Sequence, residues 1–218
     1  MILSAGYGTR LKPITDRIPK ALVVYKSKPL LNNQIERLVK AGIDEIVINA
    51  HHFSDKILEY IKSRTFGIKI NVIVEEQILG TGGGILNAKK YFEKEKSFLV
   101  INVDVDTDSD LKNIINYHND NDWFATIAVQ NRKTSRYIEF SNEMILCGRV
   151  NEKSPGENLF AFNGIHIISG EIFSQGLEIK YFDIFDLYSE LIKKGKIIKG
   201  FDMGNSFFKD IGKMENLI

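Results

Sequence analysis

The stretch SAGYGTRLKPITDRIPKALV, residues 4–23, decides the fold, and it follows a short apolar run at the N-terminus. Gly6 and Gly8 let the backbone turn tightly and bring its N–H groups close to an anion, an approach that a Cβ atom would obstruct. Arg10 and Lys20 add positive charge to the same segment. The segment is therefore predicted to bind phosphate groups.

Two common glycine-rich loops do not fit this segment. The dinucleotide-binding fingerprint needs a third glycine where Leu11 stands, and an acidic residue after the second strand, where residues 49–51 read NAH. The Walker loop ends in Gly-Lys-Ser or Gly-Lys-Thr, whereas Gly8 is followed by Thr9 and Arg10. A third type of phosphate-binding loop is left.

Downstream of this loop, apolar strands alternate with amphipathic helices. Strands are predicted at 45–50, 68–74 and 97–102, and helices at 31–41, 54–61 and 86–92. This alternation predicts an α/β protein with a mixed, mostly parallel central sheet covered by helices on both faces. Ligands of such sheets bind beyond the carboxyl ends of the strands, where residues 4–23, 79–85 and 102–110 are expected to meet.

The alternation weakens after residue 110. Strands are predicted at 124–129, 137–140, 144–150 and 161–168, and helices up to about residue 118 and at 186–194. We expect the middle third to form antiparallel strands. No linker-like composition divides the chain, so the sequence predicts a single domain over residues 1–218, with halves of about 1–110 and 111–218.

Composition limits the partners and the compartment. The 218 residues include 29 basic and 28 acidic side chains, a balance that does not indicate a nucleic-acid partner. Cys147 is the single cysteine, which excludes an internal disulfide and fits a reducing compartment. No apolar run approaches the ~20 residues of a membrane span. A soluble, cytoplasmic protein without a membrane partner is expected.

Aspartates at alternate positions follow the predicted third strand, in NVDVDTDSD at 102–110. A calcium loop of the EF-hand type would need Gly where Ser109 stands and Glu where Ile115 stands. Clustered carboxylates are costly unless a cation offsets their charge. Asp104, nearest the strand end, is the candidate metal ligand.

The pattern G-x-G-T-R-L-x-P-x-T followed by P-K-x-L resembles the signature of the sugar-1-phosphate nucleotidyltransferases. The resemblance implies their three-layer α/β/α, Rossmann-like fold, with a nucleotide-binding first half and a sugar-binding second half. It also implies catalytic roles for Arg10 and Lys20. The implied nucleotide-binding positions of the loop are Ala5, Gly6, Gly8 and Thr9.

The same resemblance implies a magnesium site. In the family a strand ending in Gly-Asp supplies one ligand, and Asp104 matches this aspartate, although Val103 replaces the glycine. FFKDIGKMENL at 207–217 resembles the second ligand segment, so Asp210 is implied as the second ligand, with Lys213 replacing a threonine. Mg²⁺ is the implied cofactor.

Two further segments resemble the base and sugar sites of the family. An E-x-x-x-L-G-T pattern implies base-side roles for Glu75, Gly80 and Thr81, and the glycines that follow it are expected to allow a ligand close to the backbone. The implied sugar-binding residues are Glu152, Lys153, Asn163 and Gly164, with Ser154 in place of the family's proline.

The resemblance covers nearly the whole chain and is closest to the N-acetylmuramic acid 1-phosphate uridylyltransferases, which are enzymes of cell-wall nucleotide-sugar synthesis. Gly80 departs from them toward the L-G-T of mannose-1-phosphate guanylyltransferases. The resemblance therefore ranks uridylyl transfer to an amino-sugar 1-phosphate first, and guanylyl transfer to a mannose- or heptose-type phosphate second. A non-catalytic nucleotide-sugar-binding protein is the alternative of another class, favoured by Val103, Lys213 and Ser154. The partners implied are a nucleoside triphosphate and a sugar 1-phosphate, and the oligomeric state is left open.

Overall fold

The computed structural model describes residues 1–150 and 158–217. Its strands are β1 Ile2–Leu3, β2 Val24–Tyr25, β3 Lys28–Pro29, β4 Glu45–Ala50, β5 Lys69–Val74, β6 Ser97–Asn102, β7 Val105–Thr107, β8 Ala125–Gln130, β9 Tyr137–Phe140, β10 Leu146–Val150, β11 Leu159–Ser169, β12 Ile198–Asp202 and β13 Phe208–Asp210. Its α-helices are α1 Leu30–Lys40, α2 Ser54–Lys62, α3 Gly80–Asn87, α4 Lys89–Phe92, α5 Leu111–Asn119 and α6 Ile184–Lys193.

The central sheet is mixed and mostly parallel in its first half. β5, β4, β1 and β6 run parallel, and Ile2 of the short β1 lies between Ile48 and Ile101 of its neighbours. β11 then runs antiparallel to β6, β8 and β9. β12 is parallel to β8, and β10 is antiparallel to β9. The predicted fold class is confirmed, as are the antiparallel strands expected in the middle third.

The two faces of the sheet pack against different helices because successive strand residues point to opposite sides. On β4, Ile46 and Ile48 belong to the apolar core that contains the buried residues of α1, α2 and α5. Val47, between them, belongs to a second core with the buried residues of α3 and α6. Full burial of each such side chain stabilises the fold by about 1.5–3 kcal/mol. The result is a helix–sheet–helix sandwich.

Several predicted bounds differ from the structure by one or two residues, and the largest departure is at residues 79–92. The segment from residue 79 to 85 was expected to be a loop that leads into a helix at 86–92, but α3 already begins at Gly80 and a break separates it from α4. Glycine is a poor helix former, so propensity alone favours a loop here. Tertiary packing against residues 180–183 overrides it, as described below. The sequence analysis also did not predict β12 and β13.

The sheet draws strands from both sides of residue 110, and the division into two halves stays a prediction. Within the described part of the chain, no helix is long and apolar enough to cross a membrane.

Candidate active site

The glycine-rich loop follows β1 and folds back on the segment that carries Lys20. Gly8 adopts a φ of 65°, which favours glycine. A Cβ at Gly8 would lie 2.9 Å from Thr15 Cγ2 and 3.0 Å from Lys20 Cβ. The Thr15 hydroxyl donates a hydrogen bond of 2.8 Å to the Gly8 carbonyl. Gly8 is therefore required for this close packing, and the packing fixes the position of the Lys20 Cβ atom.

Two carboxylates from distant parts of the sequence converge beside this loop. Asp104 follows β6, and Asp210 ends β13. β13 pairs antiparallel with β7 so that Asp210 lies opposite Val105, and the Ile211 N–H donates to the Asp104 carbonyl at 2.9 Å. This pairing of strands joins the two aspartates.

The two cations predicted to be catalytic contact these carboxylates. Lys20 Nζ lies 2.7 Å from Asp104 Oδ2. Arg10 Nη1 lies 3.1 Å from Asp210 Oδ2, and Arg10 Nη2 lies 4.0 Å from Asp104 Oδ2. Burial acts to raise the pKa of Asp104, but the Lys20 ammonium outweighs it and holds that pKa below its usual value. Asp104 therefore stays ionised at neutral pH although it is only 7% exposed.

Gly212 lies directly beside Asp104, Arg10 and Asp210. A Cβ there would lie 2.8 Å from both Arg10 Nη2 and Asp210 Oδ1, and closer still to Asp104 Oδ2. The Gly212 N–H also donates to Asp210 Oδ1 at 2.8 Å. Only glycine lets the carboxylates and the guanidinium approach one another this closely.

The donor set fits a magnesium ion that is shared with a phosphate ligand. Among the described residues, no group of three or more His, Cys, Asp or Glu side chains is placed to hold a metal on its own. Mg²⁺ commonly takes only one or two carboxylates and completes its shell with substrate phosphates and water. Asp104 and Asp210 provide that pair of hard oxygen donors.

A cleft of about 780 Å³ opens from the two carboxylates. Within the described part of the chain, its charged lining comprises the cations Arg10, Arg132, Lys133, Arg136, Arg149, Lys209 and Lys213 and the carboxylates Asp104, Asp183 and Asp210. The excess of cations is local, because the formal net charge of the whole chain is only +1. Such a cleft attracts anionic ligands.

The glycines of α3 contact the chain itself. Gly80 has a φ of 70°, and a Cβ there would lie 2.5 Å from the Phe182 carbonyl oxygen. The Gly82 N–H donates to the same oxygen at 3.0 Å, and a Cβ at Gly83 would overlap the Lys180 carbonyl. Residues 180–183 thus occupy the space beside Gly82 and Gly83, whereas Asn49 and Glu75 lie beside Gly84. Access of a ligand to the backbone of these glycines stays a prediction.

Glu75 is buried and links the loops. Its Oε1 accepts from Asn49 Nδ2 at 2.8 Å, and its Oε2 accepts from the Leu79 N–H at 3.1 Å. Asn49 Oδ1 in turn accepts from the Ser4 N–H at 2.8 Å. Burial raises the pKa of Glu75, and the hydrogen bond from Asn49 opposes this shift. The Glu75 carboxylate thus links the glycine-rich loop, through Asn49, to the residue that precedes α3.

A family model described as nucleotidyl transferase matches residues 1–218. The chain belongs to this family. The predicted membership is confirmed at this level.

Curated relatives of this nucleotidyl transferase carry a more specific name. Mannose-1-phosphate guanyltransferase beta-B of Xenopus laevis is 36% identical over 132 residues, 59% of this chain and 37% of that protein. Mannose-1-phosphate guanyltransferase of Saccharomyces cerevisiae is 27% identical over 226 residues, 100% of this chain and 62% of that protein. The chain thus spans less than two thirds of these relatives' length. Their names match the second-ranked alternative better than the uridylyltransferase ranked first.

Solved structures agree with the fold. HddC from Yersinia pseudotuberculosis superposes with a TM-score of 0.81 at 28% identity, over 99% of this chain and 94% of that chain. HddC complexed with GMP-PN gives a TM-score of 0.80 at 27% identity, over the same shares of 99% and 94%. A UDP-glucose pyrophosphorylase complexed with UDP-glucose has a TM-score of 0.80 at 20% identity, over 100% of this chain and 94% of that chain, and it supports the fold alone.

The predicted nucleotide-binding residues of this nucleotidyl transferase fall into two groups. Ala5, Gly6, Gly8 and Thr9 all lie in the loop after β1, with Ala5 buried and Gly6 and Thr9 exposed. Thr81 lines the cleft, and its Oγ1 accepts from the Ile184 N–H at 2.8 Å. Nucleotide contacts by these residues and by Glu75 and Gly80 stay predictions.

The predicted sugar-side residues are only partly described. Gly164 has a φ of 69°, and a Cβ there would lie 2.8 Å from Asn102 Nδ2. Asn163 is fully buried, and its side-chain oxygen and nitrogen contact Arg132 and Met203. Glu152 and Lys153 lie outside the described residues, so their sugar-binding roles stay predictions.

The basic wall of the cleft was not predicted from the sequence. Arg132 and Arg136 follow β8 and line the cleft together with Arg149. The run NRKTSR at 131–136 was the available signal. It was overlooked because basic residues after a strand are usually a solvated turn.

Proposed function

We propose that this nucleotidyl transferase joins a nucleoside triphosphate to a sugar 1-phosphate and releases pyrophosphate, with GTP and a mannose-type sugar 1-phosphate as substrates. The observation that carries the proposal is the convergence of Asp104 and Asp210 beside Lys20 and Arg10. The names of the curated relatives and the GMP-PN complex of HddC support guanine over uracil.

The proposed reaction is a displacement at the α-phosphorus. An oxygen of the sugar phosphate forms the new P–O bond, the bond to the bridging oxygen of the β-phosphate breaks, and pyrophosphate leaves with that electron pair. A phosphate monoester has its second pKa near ~6 and is largely dianionic at neutral pH, so the nucleophile needs no general base. Catalysis then consists of positioning two anions and neutralising their charge.

The charged residues meet these two needs. The side chain of Arg10 is 54% exposed, so it is accessible to the triphosphate and to charge that develops on the leaving pyrophosphate. Lys20 is held at 2.7 Å from Asp104, and in the proposed reaction it would contact the phosphates near the reacting phosphorus. Asp104 and Asp210 would hold Mg²⁺, which when bound neutralises phosphate charge and orients the α-phosphate.

Val103 does not favour the non-catalytic alternative. The sequence analysis treated this valine, which replaces a family glycine, as a departure that favours a binding protein. Its side chain is 0% exposed and belongs to the core under α1, and its carbonyl accepts from Gln34 Nε2 at 3.3 Å. The valine therefore does not obstruct the cleft. Lys213 lies at the cleft, and Ser154 is outside the described residues.

A screen of pyrophosphate release tests the proposal. GTP, UTP, ATP, CTP and dTTP are each combined with mannose 1-phosphate and amino-sugar 1-phosphates in the presence of Mg²⁺. We expect kcat/KM for GTP and mannose 1-phosphate to exceed the other pairs by about 100-fold, because a site that hydrogen-bonds one base leaves polar groups unpaired with another.

Lys20→Met should lower kcat/KM for GTP and mannose 1-phosphate by at least about 100-fold, because it removes a preorganised charge at the reacting phosphates. Lys12→Met, in an exposed lysine paired with Asp16, is the matched control and should keep the rate. A preference for UTP and an amino sugar would contradict guanylyl transfer. Tight binding of a nucleotide sugar without any pyrophosphate release would instead support the non-catalytic alternative.

A further inference from the structure

The guanidinium of Arg132 is held in one orientation in the cleft wall. Its Nε donates to Asn163 Oδ1 at 3.1 Å, and its Nη2 donates to the Phe162 carbonyl at 2.8 Å. Its Cζ lies 4.2 Å from the centroid of the Phe208 ring. A planar group fixed by two hydrogen bonds and a ring face loses little freedom when it binds a ligand.

The described partners of Arg132 are all neutral. The carboxylates of the cleft wall each contact another cation: Asp104 contacts Lys20 at 2.7 Å, Asp210 contacts Arg10 at 3.1 Å and Asp183 contacts Arg149 at 3.4 Å. Burial lowers the pKa of Arg132, and the charge of Asp210 opposes that shift, but a guanidinium stays protonated in proteins. A half-buried cation of this kind is costly until an anion pairs with it.

The location of Arg132 indicates which anion this is. Phe208, which stacks on the guanidinium, lies on β13 together with Asp210. The hydrogen bonds within the described residues use Nε and Nη2 and leave Nη1 for a ligand. A phosphate bound beside Asp210 is therefore within the reach of a guanidinium whose fork matches phosphate oxygens.

We infer that Arg132 binds the phosphate group of the sugar 1-phosphate and orients it toward the α-phosphorus. This inference rests on the function proposed above. Arg132 transfers no proton and forms no covalent bond, since its part is to neutralise and position the nucleophile. Asn163 is then a positioning residue that holds Arg132, instead of the direct sugar contact implied by the family resemblance.

Steady-state kinetics of Arg132→Gln test the inference. We expect the KM for the sugar 1-phosphate to rise about 10- to 100-fold, the range for a lost hydrogen bond between charged groups. The KM for the nucleoside triphosphate should change less than about 3-fold, because Arg10 and Lys20 are intact. Arg132→Lys, which keeps the charge without the fork, should give an intermediate KM.

Arg136→Gln is the comparison variant for the general field of the cleft, since it removes the same charge from the same wall. Arg136 is exposed, and solvent and salt screen its charge, so the KM for the sugar 1-phosphate should rise much less in Arg136→Gln than in Arg132→Gln. Equal shifts for the two Gln variants would overturn the inference, because the general field of the cleft would then explain both. An unchanged KM in Arg132→Gln would overturn it as well.

A titration without nucleotide separates this inference from the proposed function. The wild-type protein should bind the sugar 1-phosphate more tightly than the same sugar without phosphate, and Arg132→Gln should remove most of that difference. If the wild-type protein neither binds the sugar 1-phosphate nor releases pyrophosphate, the proposed function itself is wrong. If it does both and Arg132→Gln behaves like wild type, only the role of Arg132 is wrong. Should Arg132→Gln fail to fold in a thermal melt, Arg132→Lys supplies the same comparison.

Discussion

Because Gly212 has no Cβ atom, the carboxylates of Asp104 and Asp210 can lie close together beside it. In Gly212→Ala the new Cβ would lie 2.8 Å from Arg10 Nη2 and Asp210 Oδ1, so these groups must move apart. Displacement of a positioning group by about 1 Å commonly costs about 100-fold in rate. We therefore expect kcat/KM for pyrophosphate release to fall about 100-fold while the circular dichroism spectrum is unchanged.

Gly148→Ala is the control for that substitution. Gly148 lies on β10, and a Cβ there would meet no atom of residues 1–150 or 158–217 within 4 Å. This variant should keep the wild-type rate. A Gly212→Ala enzyme with wild-type kcat/KM would show that the carboxylate cluster tolerates expansion and does not limit catalysis.

In helix α3, tertiary packing favours glycine although helix propensity favours alanine. Alanine is the better helix former by about 1 kcal/mol, so propensity alone predicts that Gly83→Ala stabilises the protein. A Cβ at Gly83 would, however, overlap the Lys180 carbonyl and lie 3.1 Å from Leu79 Cβ. Overpacking of this kind costs about 1–3 kcal/mol, so we expect a net loss in the free energy of unfolding, measured by urea titration.

Asn113→Ala provides the comparison on another helix. Asn113 is exposed on α5, where alanine brings a smaller gain in helix propensity and replaces no packed side chain. Its free energy of unfolding should stay within about 0.5 kcal/mol of wild type or rise slightly. Greater stability of Gly83→Ala than of wild type would mean that residues 180–183 do not pack tightly on α3.

A histidine in the core should contribute to the acid sensitivity of the whole fold. His166 on β11 is 1% exposed, and its Nδ1 and the Tyr188 hydroxyl of α6 form a hydrogen bond of 2.5 Å. Burial lowers the pKa of His166 to about 3. An unfolded histidine has a pKa of about 6.5 and binds more protons below that pH. The free energy of unfolding should therefore fall as the pH drops from about 6.5 toward about 3, by up to about 1.4 kcal/mol per pH unit.

Urea unfolding at about pH 7.5 and about pH 5 measures this effect. His166→Gln should narrow the stability difference between the two conditions. His52→Gln, in a partly exposed histidine near the first loop, is the matched control and should leave the difference as in wild type. If the free energy of unfolding of His166→Gln differs between the two pH values as much as that of wild type, other groups cause the acid sensitivity.

Local sequence was sufficient to predict an element where the pattern within that segment alone indicates a strand. The strands at 45–50 and 97–102 were predicted with the bounds that the structure has, because each is a buried apolar run flanked by polar residues. Prediction failed at α3, where local propensity and distant packing disagree. It also failed at Arg132, whose role depends on neighbours at residues 162, 163 and 208.

The sequence by itself determined the alternation of strands and helices in the first half of the chain, the family, and which side chains carry charge in the motifs. The family resemblance implied that Asp104 and Asp210 share one site, but only the tertiary structure decided how they meet, because the pairing of β7 with β13 joins residues far apart in the chain and no local pattern encodes it. The same holds for Asn163 and Arg132, since a hydrogen bond between two strands exists only once the sheet has brought them side by side.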